Sequence, residues 1–236
     1  MKLFKKRLIL PLLLVAAVFP MAWGQTTARA EKPWYVGVQA GTSFGQGTFR
    51  SITKHDTNWG FQGGVYEGYR FSRVLSLEGG FQLGKQDQQS QDCCPFWLSQ
   101  DGVRYYSPVL DQTGWFYKDV KTSTRWEKVY LQANLNLLGL FSKKACRWTV
   151  QVSPQLSVMT TATKYVAEGQ KIAHATRWHL GLGGQASIGF RICNSIEASV
   201  YGGITRLTGK RFDNILVHAH KSNHILDAGV KIGLCL

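Results

Sequence analysis

The sequence predicts an all-β fold, an eight-stranded antiparallel up-and-down transmembrane β-barrel. Three observations predict it. The chain opens on an export-type segment, eight later stretches alternate apolar and polar residues with period two, and the connections between them alternate between short and long. The 236 residues suit one domain of this kind, with 25 Gly and only 6 Pro.

The chain begins Met1-Lys2-Leu3-Phe4-Lys5-Lys6-Arg7, runs apolar from Leu8 to about Val18, and then reads Ala22-Trp23-Gly24. A basic start, a short apolar middle and a small-x-small exit make a secretory signal peptide. Pro11 and Pro20 interrupt the run, which is too short for a membrane anchor. We expect residues 1–24 to be the signal peptide and 25–236 the barrel domain, with Ala28-Arg29-Ala30 as a second cleavage site. No later stretch is apolar for 18 residues, so no membrane helix is expected.

Each strand follows from its alternation. In the first, Trp34, Val36, Val38, Ala40, Thr42 and Phe44 share one face and Tyr35, Gly37, Gln39, Gly41 and Ser43 the other. The second sets Phe61, Gly63, Val65, Tyr69 and Phe71 against Gln62, Gly64, Tyr66, Gly68 and Arg70. Glu67 falls on its apolar face; either a bulge at Gly63-Gly64 shifts the phase or Glu67 sits near protein or water. The third places Leu75, Leu77, Gly79, Phe81 and Leu83 outward and Ser76, Glu78, Gly80, Gln82 and Gly84 inward. The fourth runs Val129 to Leu137 with Tyr130, Gln132, Asn134 and Asn136 inward, and the fifth runs Trp148 to Val158. Pro154 in the fifth lacks a ladder donor and implies a local bulge or weak pairing. The sixth runs Trp178 to Arg191, the seventh Ile196 to Ile204 and the eighth His224 to Leu236.

Residues 71–74 and 191–195 are tight connections and 139–145 is moderate, whereas 45–58, 86–124, 160–175 and 206–221 are long and polar. Short turns on one side and long loops on the other are the pattern of a barrel with periplasmic turns and external loops, and an even strand count puts both termini in the periplasm.

Val74-Leu75-Ser76-Leu77-Glu78, Val129-Tyr130-Leu131-Gln132-Ala133 and Gly229-Val230-Lys231-Ile232-Gly233-Leu234 give the chain a family likeness. It resembles small bacterial outer-membrane barrels of the OmpA/OmpX-type architecture, and more narrowly the PorT-like outer-membrane β-barrel proteins of Bacteroidetes. Two features depart from that pattern: Ala133 stands where Pro is common, and the chain ends in Leu236 instead of an aromatic residue. The resemblance implies an integral outer-membrane location and the fold. It implies no single activity, because such scaffolds host many.

Lys and Arg total 28 against 14 acids, a formal charge of +14 that falls to +10 without residues 1–24. An exported protein does not meet nucleic acid, so this charge points to anionic lipid headgroups, acidic glycans or a generally cationic surface. Outer-membrane lipid and an envelope protein or glycan are the expected partners, and no cofactor or metal is expected. The charges on the inward faces are Arg70, Glu78, Arg191, Glu197, Asp227 and Lys231. Eight strands leave a lumen just wide enough for side chains, so opposite charges should pair into a polar plug. Arg70, Arg191, Glu197 and Lys231 are expected toward the periplasmic end and Glu78 and Asp227 at mid-barrel.

The longest loop carries Phe96, Trp97, Tyr105, Tyr106, Trp115, Phe116 and Tyr117. They suit a protein or glycan site, a small loop core or an interfacial aromatic belt. Of five cysteines, Cys146 and Cys193 fall at one rim and are candidates for a cross-strand disulfide; Cys93 and Cys94 stay free or pair elsewhere, and Cys235 points inward. His220-Lys221-Ser222-Asn223 resembles the His-x-Ser-Asn motif of outer-membrane lipid A deacylases, which implies Ser222 as nucleophile and His220 as base. Asp227 is the one acid downstream, on the opposite face. The expectation is therefore a non-enzymatic outer-membrane anchor or accessory protein with binding loops. Its alternatives are a small pore, a lipid A acyl hydrolase and a soluble lipocalin-like barrel.

Overall fold

The structure is a computed structural model that describes residues 32–47, 49–53, 56–89, 97–98, 105–106, 115–116, 119–141, 147–193, 195–208 and 223–236. The proposed signal peptide lies outside the described residues. Eight long strands close a barrel: β1 (Trp34–Gln46), β2 (Gly60–Arg70), β3 (Leu75–Gln89), β7 (Val120–Asn136), β8 (Trp148–Ala167), β9 (Gln170–Arg191), β10 (Ile196–Leu207) and β11 (Asn223–Cys235). Each pairs antiparallel with its sequence neighbour in the barrel, and β1 pairs with β11 to shut it. Three two-residue strands, β4 (Trp97–Leu98), β5 (Tyr105–Tyr106) and β6 (Trp115–Phe116), form a separate small sheet in the connection between β3 and β7. A five-residue helix, α1 (Leu137–Phe141), follows β7.

The strand registers fix the barrel's shape. Cα partners run from Val36 through Glu67, Gly79, Leu131, Leu156, Leu182, Arg206 and His224 back to β1 at Gln46, ten residues from the start. Eight strands with that stagger tilt by about 40°. Each step around the barrel in this direction then climbs by about 1.25 residues. On that scale Trp34, Tyr69, Phe71, Trp148 and Phe190 share one level near the short turns. Their rings touch in pairs: Trp34–Tyr69 at 5.0 Å, Tyr69–Phe71 at 5.1 Å and Trp148–Phe190 at 4.9 Å. Phe44, Phe61 and Trp59 mark a second level at the other end, with Phe44 against Trp59 at 5.2 Å. Trp34 and Phe44 are ten residues apart on β1, which is about 25 Å along the barrel axis and matches the apolar band of a membrane barrel.

Between the two aromatic levels the outward residues are exposed and apolar, among them Val38, Val65, Leu131, Leu156, Leu182, Val200 and Ile232. Their inward neighbours Gln39, Tyr66, Gln132, Gln155, Tyr201 and Lys231 are buried. The predicted faces therefore hold. Glu67 stays on the outer face, and β2 keeps an unbroken register past Gly63-Gly64, so no bulge rescues it. It lies two residues from Tyr69 of the lower aromatic level, within reach of the headgroup region. Pro154 behaves as its missing donor requires. The β7–β8 ladder lapses at Ala133 and Asn134, opposite Pro154 and Ser153, and resumes in the same register.

Four strand ends, flanking two of the long connections, differ from the sequence expectation. Residues 86–89 and 120–124 continue β3 and β7, and most of 160–175 is a hairpin extension in which β8 turns at Glu168-Gly169 into β9. Both turn residues have positive φ, 49° and 78°, as a two-residue hairpin turn requires. These extensions carry polar residues on both faces because they stand above the apolar band. They therefore lack the hydrophobic alternation by which the lower strands are recognised.

Candidate functional site

The inward side chains fill the lumen in layers. The lowest holds Arg70 and Glu197, 2.7 Å apart and partly exposed. Thr149 Oγ1 donates to Glu197 at 3.2 Å, Arg70 Nη1 approaches Cys235 Sγ at 3.4 Å, and the guanidinium lies 5.0 Å from the Tyr35 ring centre. Arg191, half-buried at the end of β9, belongs to this level. A cavity of about 40 Å³ lined by Tyr66, Arg70, Glu197 and Lys231, among others, opens here, with room for about three waters.

The second layer is built on Glu78. Lys231 Nζ lies 2.7 Å from Glu78 Oε1, and both side chains are under a tenth exposed. The same oxygen accepts from Tyr130 Oη at 3.1 Å and Gln132 Nε2 at 3.0 Å. Oε2 accepts from Asn134 Nδ2 at 3.3 Å and Tyr35 Oη at 3.4 Å. Lys231 also donates to Gln185 Oε1 at 3.3 Å and lies over the rings of Tyr66 and Tyr201. Side chains from several strands thus converge on one carboxylate and one ammonium. A buried ion pair of this kind persists because its remaining hydrogen-bonding capacity is met. Lys231 therefore stands at mid-barrel with Glu78, a correction to its expected place near the periplasmic end. The cause is the stagger, since alternation assigns a face but only register assigns a height.

Above this pair the lumen becomes tighter. Gln62 Nε2 donates to Tyr201 Oη at 3.0 Å, Gln39 Nε2 to Tyr130 Oη at 2.9 Å and Gln155 Nε2 to Gln132 Oε1 at 3.1 Å. Lys128 is 1 % exposed, with Nζ 5.8 and 5.6 Å from the ring centres of Trp126 and Tyr130. Asp227, buried beside Gly203, is another inward charge of this region. Lys128 is a lumen charge the sequence reading missed. Extending the inward phase of Tyr130, Gln132 and Asn134 by one step reaches it. Next come Trp126, Met159, Leu207 and Ile225, a buried apolar cluster across the lumen. Trp126 fits because Gly84 faces it: a Cβ on Gly84 would stand 2.2 Å from the indole.

The long-connection end is covered by the segment after β1. Arg50 and Gln89 exchange backbone hydrogen bonds at 2.9 and 3.0 Å, Ser51 Oγ donates to the Asp87 carbonyl at 3.1 Å, and Gln88 Nε2 donates to the Phe49 carbonyl at 3.1 Å. These bonds hold Phe49 fully buried, its ring 6.5 Å from that of Tyr165.

Of the loop aromatics, Trp97, Tyr105, Tyr106, Trp115 and Phe116 are brought together by the small sheet, where Trp97 pairs with both Tyr106 and Phe116. Phe96 and Tyr117 lie outside the described residues, as do Ser222 and His220. Asp227, the acid downstream of that Ser–His motif, is in the lumen. Cys193 is an exposed free thiol; Cys146, its expected disulfide partner, lies outside the described residues. β9 leaves the ladder at Arg191, whose amide bonds the Arg147 carbonyl, and Cys193 turns toward Ile196. Cys235 is buried and inward, as its phase requires.

An apolar exterior around a polar, hydrogen-bonded interior is the inverse of a lipocalin-like barrel. A closed ring of paired strands that meets lipid with a 25 Å apolar band, about the height such proteins need, defines a transmembrane β-barrel of the outer-membrane type. No protein-family model matches the sequence, and no curated protein sequence matches it significantly. Among solved structures the fold is similar to Neisserial surface protein A (TM-score 0.46, 10% identity, 86% of this chain and 97% of that one). It is also similar to Ail, the attachment invasion locus protein of Yersinia pestis (TM-score 0.46, 10% identity, 87% and 99%). A major outer membrane protein from Thermus thermophilus gives a TM-score of 0.49 at 12% identity over 85% and 99%. The fold assignment rests on the ladder and the two faces.

Proposed function

We propose that the protein is an integral barrel of the bacterial outer membrane, without enzymatic activity, that serves as an anchor or accessory envelope protein. In this reading both termini are periplasmic and the long-connection end faces outward, where it meets a protein or glycan partner. One observation carries it: among the described residues, side chains pack the lumen in successive layers above a small cavity at the Arg70 level. These run from Arg70–Glu197 through Glu78–Lys231 to the Trp126 cluster and Phe49. Traffic through such a lumen requires several layers to move together, so the useful surface is the exterior. The small sheet of Trp97, Tyr105 and Trp115 supports the same reading, because it gathers aromatic residues on the longest outer connection. The PorT-like likeness belongs to this proposal and rests on the three sequence segments that carry it.

The test is capture from detergent-solubilised outer membrane with the full chain and with a variant in which residues 90–118 are replaced by a short Gly-Ser turn. A partner or glycan retained by the full chain and lost by the variant supports the proposal. Identical capture by both contradicts it.

A further inference from the structure

The outer surface of β3, β7 and β8 carries a cationic cluster at the upper edge of the apolar band. Lys85 and Arg125 are direct Cα partners across β3 and β7. Lys164 pairs with Ser123, which sets it diagonal to both Arg125 and Lys121. Buried Gln86, Thr122, Thr124 and Thr163 alternate with them, so all four cations point outward, and Lys121, Arg125 and Lys164 are exposed. Directly opposed like charges sit about 5 Å apart at Cβ and destabilise a sheet unless an anion lies between them. Two acids are near. Asp87 is 3.5 Å from Lys85, both half-exposed, and Glu127 is the next outward residue below Arg125. Among the described residues no carboxylate lies within ion-pair distance of Arg125, Lys121 or Lys164.

The position selects the ligand. Lys85 is the Cα partner of Phe61 in the upper aromatic level; below the cluster the outward residues are Glu127, paired with Leu83, and then Phe81, Val129 and Val158. An anion held between Lys85 and Arg125 is therefore at headgroup depth, with Leu83 beneath Lys85, Glu127 beneath Arg125, and an apolar wall of Phe81, Val129 and Val158 further down for acyl chains. Lys164 and Lys121 stand about 10 Å higher, where further anionic groups of a large headgroup would lie.

We propose that this face of β3, β7 and β8 binds the phosphorylated headgroup of an outer-leaflet lipid, with Lys85 and Arg125 clamping the phosphate. The proposal rests on the reading of the long-connection end as external. Each cation near a charged lipid surface contributes roughly a five-fold gain in affinity, so losing the clamp should cost about twenty-five-fold.

The experiment titrates the purified, folded barrel in neutral detergent with bis-phosphorylated lipid A and reads the bound fraction by native mass spectrometry. Dephosphorylated lipid A, inorganic phosphate and a sulfated oligosaccharide serve as competing probes. Wild type should prefer the bis-phosphorylated lipid. K85Q/R125Q should lose about twenty-five-fold, and R206Q, at an outward position on β10, should bind as wild type. Should the double variant fail the heat-modified gel test of folding, D87N serves instead and should bind more tightly than wild type. Binding indifferent to the lipid phosphates, or unaltered by K85Q/R125Q, overturns the proposal. Equal binding of inorganic phosphate or sulfated oligosaccharide replaces the lipid with a soluble anion and overturns it too. Channel conductance or hydrolytic activity would instead sink the closed-anchor function and leave this measurement standing.

Discussion

Replacing Glu78 with Gln keeps the side chain's shape and removes the one negative charge that Lys231 touches. In the native lumen the two are 2.7 Å apart, and their side chains are 5% and 7% exposed. Removing one member of a buried pair leaves the other uncompensated and typically costs about 3–5 kcal/mol. Gln185 and the rings of Tyr66 and Tyr201 still face the ammonium, which favours the lower end, about 3 kcal/mol. The assay is urea unfolding of the barrel refolded into vesicles, followed by tryptophan fluorescence. E78Q/K231M removes the orphaned charge as well and should recover about 2 kcal/mol of the loss. An E78Q barrel within about 1 kcal/mol of wild type would refute the reasoning, as would a double variant no more stable than E78Q. Either result would mean that water, and not Glu78, compensates Lys231.

Other perturbations probe the layers above. G84A places a methyl group against the Trp126 indole and should destabilise the barrel by about 1–3 kcal/mol in the same unfolding assay, while G63A, with an open surround, should be near neutral. F49A empties the buried position under the outer cover and should expose residues 47–58 to limited proteolysis with the barrel intact; equal protection would contradict the cover.

Much of the fold is legible in the chain because a membrane barrel must alternate. Trp34 to Phe44 against Tyr35 to Ser43 needs no tertiary information, and the same alternation assigns Arg70, Glu78 and Asp227 to the lumen. The pattern fades where the environment that produces it ends. Gln86, Gln88, Thr122 and Thr124 face a packed interior, but their outward neighbours face water, so both sides are polar and the strands read as loop. Pairing is the other hidden quantity. Lys231 and Glu78 meet because ten residues of stagger bring β11 and β3 to one height, and no single strand encodes that offset.

The closed lumen is the claim on which the functional proposal depends, and planar-bilayer recording of the purified wild-type barrel tests it most directly. A lumen sealed by Glu78–Lys231, the Trp126 cluster and Phe49 predicts a baseline without reproducible single-channel steps at moderate voltage. Steps of reproducible size, absent from a mock preparation, would contradict it and make the protein a pore.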